Sequence, residues 1–485
     1  MDFPILSTLV FLPILLSVFV LVSRNGRQAK ITACLIAFVN FVLSLVLLTN
    51  FDKTSVIEQF VEKHMWIESF NIQYFLAIDG IGLVLVLLTT LLGFLALLFS
   101  PSKLKNAKVY FASFLFLEGL SIGLFSAYDA VLFYVFFEAM LIPMFLIIGV
   151  WGGENRIYAT FKFFLYTLFG SVLFLVALIY MYTQFGTFEI LEWANLSAQS
   201  LDLVEQKWLF AALFIAFAIK VPMIGVHTWL PDAHVQAPTA GSVILAGVLL
   251  KIGTYAMLRF ILPVLPEATA YFQVFVMGLS AAAIVYASFV AYHQTDIKKM
   301  IAYSSIAHMG FITLGLFALT ELAVQGAVMQ MINHGIVSAG LFFAIGVIYN
   351  RLHTRDLAKL GSIANYMPRY AFVVMILMLA SVGLPGTANF AGEITILIGS
   401  YQASEVMTLI SVTGVLLGAC YMLKLYKEMF YSQTKNDAVA TLQDLTVKEM
   451  IVFTPLLVLV FVLGFMPNLV FDLTQTAVQS ILQFV

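Results

Sequence analysis

The stretch FAIKVPMIGVHTWLPDAHVQAPTAGSVILAGVLLKIG, residues 217–253, sets two lysines inside apolar runs, with His227, Asp232 and His234 between them. Lys220 is followed two positions later by Pro222, and Lys251 lies among leucine, valine, isoleucine and glycine. Proline inside a helix removes a backbone donor and collides with the carbonyl four residues back. An ionised side chain at the centre of a membrane helix costs roughly 2.5–3.5 kcal/mol. A lysine beside a helix break therefore needs enclosure by protein and access to water, or it needs no membrane at all.

The rest of the chain decides for the membrane. Of its 485 residues 62% are apolar and only 10% are charged, where soluble domains carry about 25% charged residues. Apolar runs long enough to cross about 30 Å of hydrocarbon recur throughout. Fourteen spans are expected, near 3–22, 30–50, 78–99, 108–126, 129–150, 158–183, 207–228, 239–262, 271–292, 298–317, 322–349, 370–400, 404–430 and 449–475. Alternating ten-residue segments of a barrel do not occur, so the expected fold is an all-α polytopic membrane protein, one transmembrane domain over 1–485. Residues 3–22 lack a basic region before them and a small-residue cleavage site after them, and read as a first span.

Composition also excludes some chemistry. Cys34 and Cys420 both sit in apolar segments, which gives neither a disulfide framework nor an iron–sulfur spacing. No glycine-rich nucleotide motif occurs. The net charge of −2 gives no sign of a nucleic-acid partner.

Threading the spans through a bilayer sorts the basic residues. Eighteen fall on one side, among them Arg24, Lys103, Arg156, Lys298, Arg355, Lys424, Lys435 and Lys448. Lys53, Lys63 and Lys207 fall on the other, with Arg259 close to it. This asymmetry puts both termini on the outer side of a bacterial inner membrane. The two long outer loops, 51–77 and 184–206, are acidic, and the second is expected to form an amphipathic surface helix. A weak internal echo pairs FGSVLF at 169–174 with HGIVSAGLFF at 334–343, FFEAM at 136–140 with IAHMG at 306–310, and IKVPMIG at 219–225 with VGLPGTA at 382–388. Spans 4–8 (108–262) would then match spans 9–13 (271–430), and an odd number of spans per copy makes the second copy inverted, a plan found in transporters.

Six ionisable residues fall well inside spans: Glu138, Lys220, Lys251, His308, His334 and Glu393. Neither lysine lies within a turn of its span's end, so snorkelling to the interface does not account for them. Each has a bland reading, a carboxylate paired with a neighbouring helix or a buried histidine satisfied by a hydrogen bond. Together they are groups that burial and charge can tune for proton exchange. Pro222 and Pro385 interrupt two spans and free the carbonyls of Ala218 and Ser381, which is tolerated only in a protein-enclosed, hydrated place. His227 and His234 stand as accessory candidates. Glu118, Asp79 and Asp129 lie nearer helix ends and read as structural or interfacial.

At this point a resemblance is plain. KVPMIGVHTWLPDAHVQAPTAGSVILAGVLLKIGTYAMLRF at 220–260, YSSIAHMGF at 303–311 and NHGIVSAGLFF at 333–343 resemble the signatures of the antiporter-like subunits of respiratory complex I. GLPGTANFAGEITIL at 383–397 looks like the M-type branch, whose mitochondrial counterpart is subunit 4; L- and N-type relatives carry lysine where this chain has Glu393. Ile394 stands where the family usually has an aromatic residue. The resemblance implies fourteen helices in two inverted five-helix repeats with two interrupted helices. It makes Glu138 and Lys220 a first ion pair, Lys251 the central lysine, His308 and His334 connecting histidines, and Glu393 the exit residue. It implies a subunit of a proton-translocating NADH:quinone oxidoreductase with no cofactor on this chain. FMN, iron–sulfur clusters and quinone would belong to partner subunits, and the partners would be L-, N-, K-, J-, A- and H-type membrane subunits and the hydrophilic arm. The alternative is a subunit of a sodium/proton antiporter of Mrp type, which co-purification with flavin and iron–sulfur subunits would exclude.

Overall fold

Lipid offers the backbone no hydrogen-bond partners, so an apolar run that crosses it must satisfy its own amides, as a helix does. In the structure, a computed structural model, residues 3–433 and 436–485 are described, with Lys435 and the side chains of residues 198 and 199 outside the described residues. Among the described residues eleven helices are long and apolar enough to cross a membrane. Ile5–Leu21 and Pro368–Val382 are shorter apolar helices. The expected span 207–228 is a helix only over Leu203–Lys220, and 370–400 is broken into Pro368–Val382 and Ala388–Ala403. At the second break Gly383 adopts φ +79°, a left-handed helix cap that glycine takes without strain. The chain is a multi-pass membrane protein.

The fold is mostly but not entirely helical. The loop at 51–77 contains a strand Gln59–Ile67 that pairs antiparallel with Ile72–Ile78, Lys63 facing Phe75 and His64 facing Tyr74. Asn71 turns the hairpin at φ 51°, a left-handed position that asparagine tolerates. QFVEKHMWI lacks the strict alternation of a half-buried strand, so its periodicity hides it. Loop 184–206 does hold a helix, Ile190–Ser200, with Trp193 buried beneath it.

The described residues divide into two compact units, one of residues 1–221, 248–273 and 472–485, the other of 222–247 and 274–471. In the first, the hairpin organises one end. Glu62 accepts the amides of Leu6 and Ser7 at 2.8 and 3.1 Å, which satisfies orphan donors at the start of the first helix. Asp129 caps the helix Ala130–Ala139 through Val131 and Leu132 and also accepts the Gln73 amide at 2.9 Å. Asp79 caps Gly80–Phe99 through the Gly82 amide. Both aspartates thus have the structural role expected of them. Glu118 differs: it lies inside Ala107–Ser126 rather than near an end, and accepts a bond from Asn40 Nδ2 at 2.8 Å.

In the second unit the helix Glu321–Leu352 has its most apolar window wholly buried, as expected of a helix with no lipid-facing side. It packs against Ala388–Ala403 with almost no space between backbones. A Cβ on Gly326 would come within 2.7 Å of the Ile396 nitrogen, and one on Gly392 within 3.0 Å of Gln330 Cα. Small residues permit such approaches in membranes. Overpacking a tight interior costs about 1–3 kcal/mol. Gly326→Leu is therefore expected to lower the amount of assembled subunit several-fold, measured by immunoblot of membranes; unchanged content would mean the two helices part without cost.

Candidate functional site

In the first unit the helix break governs Lys220. The residue ends its helix, and the Val221 amide makes the last turn to Phe217 O at 2.9 Å. Lys220 is thus terminal to its helix although central to its span, because Pro222 cannot continue the ladder. Its Nζ lies 4.3 Å from the centre of the Phe137 ring. Glu138 is partly buried and close enough to act on Lys220 electrostatically, but no direct ion pair joins them. The ring of the preceding residue, Phe137, is a cation–π partner of the ammonium. The carboxylate stands near the end of Ala130–Ala139, which Met140, with helical dihedrals, joins to Leu141–Trp151.

Lys251 is fully buried. It lies between two π-helical turns, Leu245–Leu249 and Met257–Ile261, a local widening of the helix that often marks functional sites. Gly253 packs its backbone onto the broken helix: a Cβ there would meet Phe217 O and the Val221 nitrogen at 2.9 Å each. The segment that carries Lys251 thus lies directly against the segment that ends in Lys220.

The second unit brings three of the expected residues together. His308 on Ile297–Phe317 and Glu393 on Ala388–Ala403 meet through Nδ1 and Oε1 at 2.8 Å, both buried. The His308 and His334 rings are 5.6 Å apart. Three further groups were not singled out from the sequence. Gln330 Nε2 donates to Glu393 Oε1 at 3.0 Å, Asn333 Nδ2 donates to the Ala388 carbonyl at 2.6 Å, and Ser381 Oγ lies 3.4 Å from His308 Nε2. Gln330 and His334 are four residues apart, which puts them on one helix face; a glutamine and an asparagine buried in an apolar span were the available signal. His227 packs against the Tyr286 and Tyr303 rings at 5.5 and 6.3 Å, and His234 stacks on Phe342 at 4.5 Å. Among the described residues no group of three or more His, Cys, Asp or Glu side chains is placed to hold a metal.

What this arrangement can do is move protons. In the second unit the groups are a carboxylate and two imidazoles, each able to hold or release a proton, buried and with an amide and a hydroxyl in contact; the first unit holds two buried amines.

Residues 127–418 match the family described as NADH:quinone oxidoreductase/Mrp antiporter, TM. The chain is 46% identical over 488 residues to the NADH-quinone oxidoreductase subunit M of Rickettsia prowazekii, covering 99% of both chains. It is 41% identical over 482 residues to NADH-ubiquinone oxidoreductase chain 4 of Marchantia polymorpha, covering 99% of this chain and 97% of the other. A chain in the structure of respiratory complex I from Thermus thermophilus with bound NADH superposes with a TM-score of 0.89 at 28% identity, covering 99% and 98%.

The amide of Gln330 supports Glu393 directly, so its loss should be felt at the carboxylate. Gln330→Leu is expected to assemble and to slow respiration-driven proton uptake into inverted vesicles several-fold. Uptake at the wild-type rate would reduce the contact to packing.

Proposed function

We infer that this chain, which belongs to the NADH:quinone oxidoreductase/Mrp antiporter transmembrane family, is a proton-translocating subunit of the membrane arm of an NADH:quinone oxidoreductase. It is a multi-pass protein of the bacterial inner membrane and works with other subunits of that complex, which reduce quinone. The observation that carries the reading is the buried His308–Glu393 contact in a chain similar along its whole length to respiratory M subunits. The same similarity leaves the Mrp-type antiporter as the weaker alternative.

The finer assignment is our proposal. The chain has fourteen membrane helices, ten of which form two inverted five-helix repeats, 108–262 and 271–430. Glu138 and Lys220 form the input pair, coupled electrostatically without direct contact. Lys251 is the central relay, His308 and His334 connect, and Glu393 is the exit group. His227 and His234 are accessory at most. The partners are L-, N-, K-, J-, A- and H-type subunits and the hydrophilic arm, which carries the FMN and the iron–sulfur clusters.

Moving one proton against 100 mV costs about 2.3 kcal/mol, so the exit group must bind and let go in turn. Burial favours the protonated carboxyl and a neighbouring cation favours the ionised one. Glu393 is in direct contact with His308, a second group that can take or give a proton. Glu393→Gln is neutral in every state. It is expected to assemble and to lose most proton uptake driven by NADH in inverted vesicles, with subunit content checked by immunoblot. Glu393→Asp and Glu393→Lys should keep part of it. Full pumping by the Gln variant would mean that protons leave elsewhere.

Lys251 must be neutral in part of the cycle if it relays. Arginine keeps the charge and does not release its proton. Lys251→Arg is expected to depress pumping to a small fraction of the wild-type rate; normal pumping would make Lys251 a fixed structural charge.

A further inference from the structure

The helix Thr239–Ile261 carries two cations of different chemistry. Lys251 can release a proton. Arg259 cannot, and it follows eight residues later, about 12 Å along the axis at 1.5 Å per residue. In the first unit Arg259 is only 8% exposed. Its Nη2 lies 2.6 Å from Asp79 Oδ2, and its guanidinium carbon lies 4.9 Å from the Tyr255 ring centre and 5.3 Å from that of Tyr128. Asp79 is held in turn, because its Oδ1 accepts the Gly82 amide at 2.9 Å. Residues 252–258, between the two cations, are all buried. The polar tip of Tyr255 is committed, its hydroxyl donating to the Phe125 carbonyl at 2.8 Å. Arg259 and Asp79 also line a cavity of about 50 Å³ with Glu58, Tyr128, Thr476 and Ser480, large enough for water, which needs about 10–15 Å³.

We propose that the Arg259–Asp79 pair is a proton seal, closing the Lys251 segment to the end of the unit that carries the hairpin. The proposal rests on Lys251 being a relay group. A relay open at that end as well would return its protons down the gradient, and a cavity beside Arg259 with room for water would bring the outside within reach. A fixed guanidinium opposes this in two ways. Its charge repels an arriving hydrated proton, as an arginine does in selective pores, and it has no proton to pass on. The ion pair holds it there, and the two tyrosine rings fill the space around it.

The seal predicts a leak, not a loss of chemistry. In inverted vesicles containing the intact complex, NADH oxidation establishes a pH gradient, a quinone-site inhibitor stops turnover, and the decay of the gradient is followed. Arg259→Gln is expected to keep NADH oxidation and to speed that decay several-fold. Arg259→Lys, which keeps the pairing with Asp79 but can release its proton, should decay faster than wild type and slower than the Gln variant. Adding Lys251→Met to Arg259→Gln should restore slow decay, since the leak runs through the relay. Wild-type decay in whichever Arg259 variant assembles would overturn the seal. So would a leak that persists without Lys251, or tight vesicles with NADH oxidation lost. Glu393→Gln in the same assay separates the two ideas: full pumping there counts against the relay reading, whereas the decay rates speak only to Arg259.

Discussion

A charged or strongly polar group in a bilayer has to be wrapped by protein, and that requirement sorts the helices of this chain. The most apolar windows of Thr239–Ile261 and Ile297–Phe317 are 94% buried and that of Glu321–Leu352 is 100% buried. These helices carry Lys251, His308 and His334. By contrast, Gly26–Thr49 is 33% buried, and Glu405–Phe430 and Val447–Phe465 are 28% buried. None of those three has an Asp, Glu, Lys, Arg or His at its centre. Lipid-facing helices need only be greasy, whereas the enclosed ones can hold groups that lipid would reject.

Enclosure alone does not place the groups; the irregular backbone does. Pro222 ends a helix at Lys220, so that the lysine stands at a break instead of on a helix wall. Gly383 turns the chain at the second break, and a Cβ there would sit 3.2 Å from Glu393 Oε2. Gly326 and Gly392 let two helices approach until Gln330 reaches the same carboxylate. Each irregularity breaks a rule of regular helices, and each does so beside an ionisable group. A fold that kept its helices ideal would have no such contact to offer.

Much of this was legible in the sequence because the bilayer imposes one dominant period. Long apolar runs marked the helices, and charges within them stood out against that background. Pro222 and Pro385 marked the breaks for a local steric reason. What stayed hidden depended on tertiary geometry. The hairpin at 59–78 has charged and apolar residues without alternation. The π-helical turns around Lys251 have no proline to announce them. Glu138 and Lys220 were expected in contact, but a sequence cannot say that the Lys220 ammonium lies over the Phe137 ring. Gln330 and Asn333 were readable as polar residues in an apolar span, yet amides draw less notice than charges, and their partners lie 63 and 55 residues away.

The choice of residue types carries the last step. Lysine, histidine and glutamate differ in charge but share the ability to exist with or without a proton near neutrality once buried or paired. Arginine lacks that ability. If the buried groups served only to hold helices together, arginine would suit as well as lysine, and better wherever a carboxylate is the partner, because its planar fork matches one. Within the first unit the chain uses both: lysine at 220 and 251, where no carboxylate is in direct contact in the one case and the residue is flanked by π-helical turns in the other, and arginine at 259, where a carboxylate clamps it at 2.6 Å. The clamped arginine keeps its charge in every state, whereas a lysine can give its proton up. The proton path proposed for this chain calls for both kinds of group.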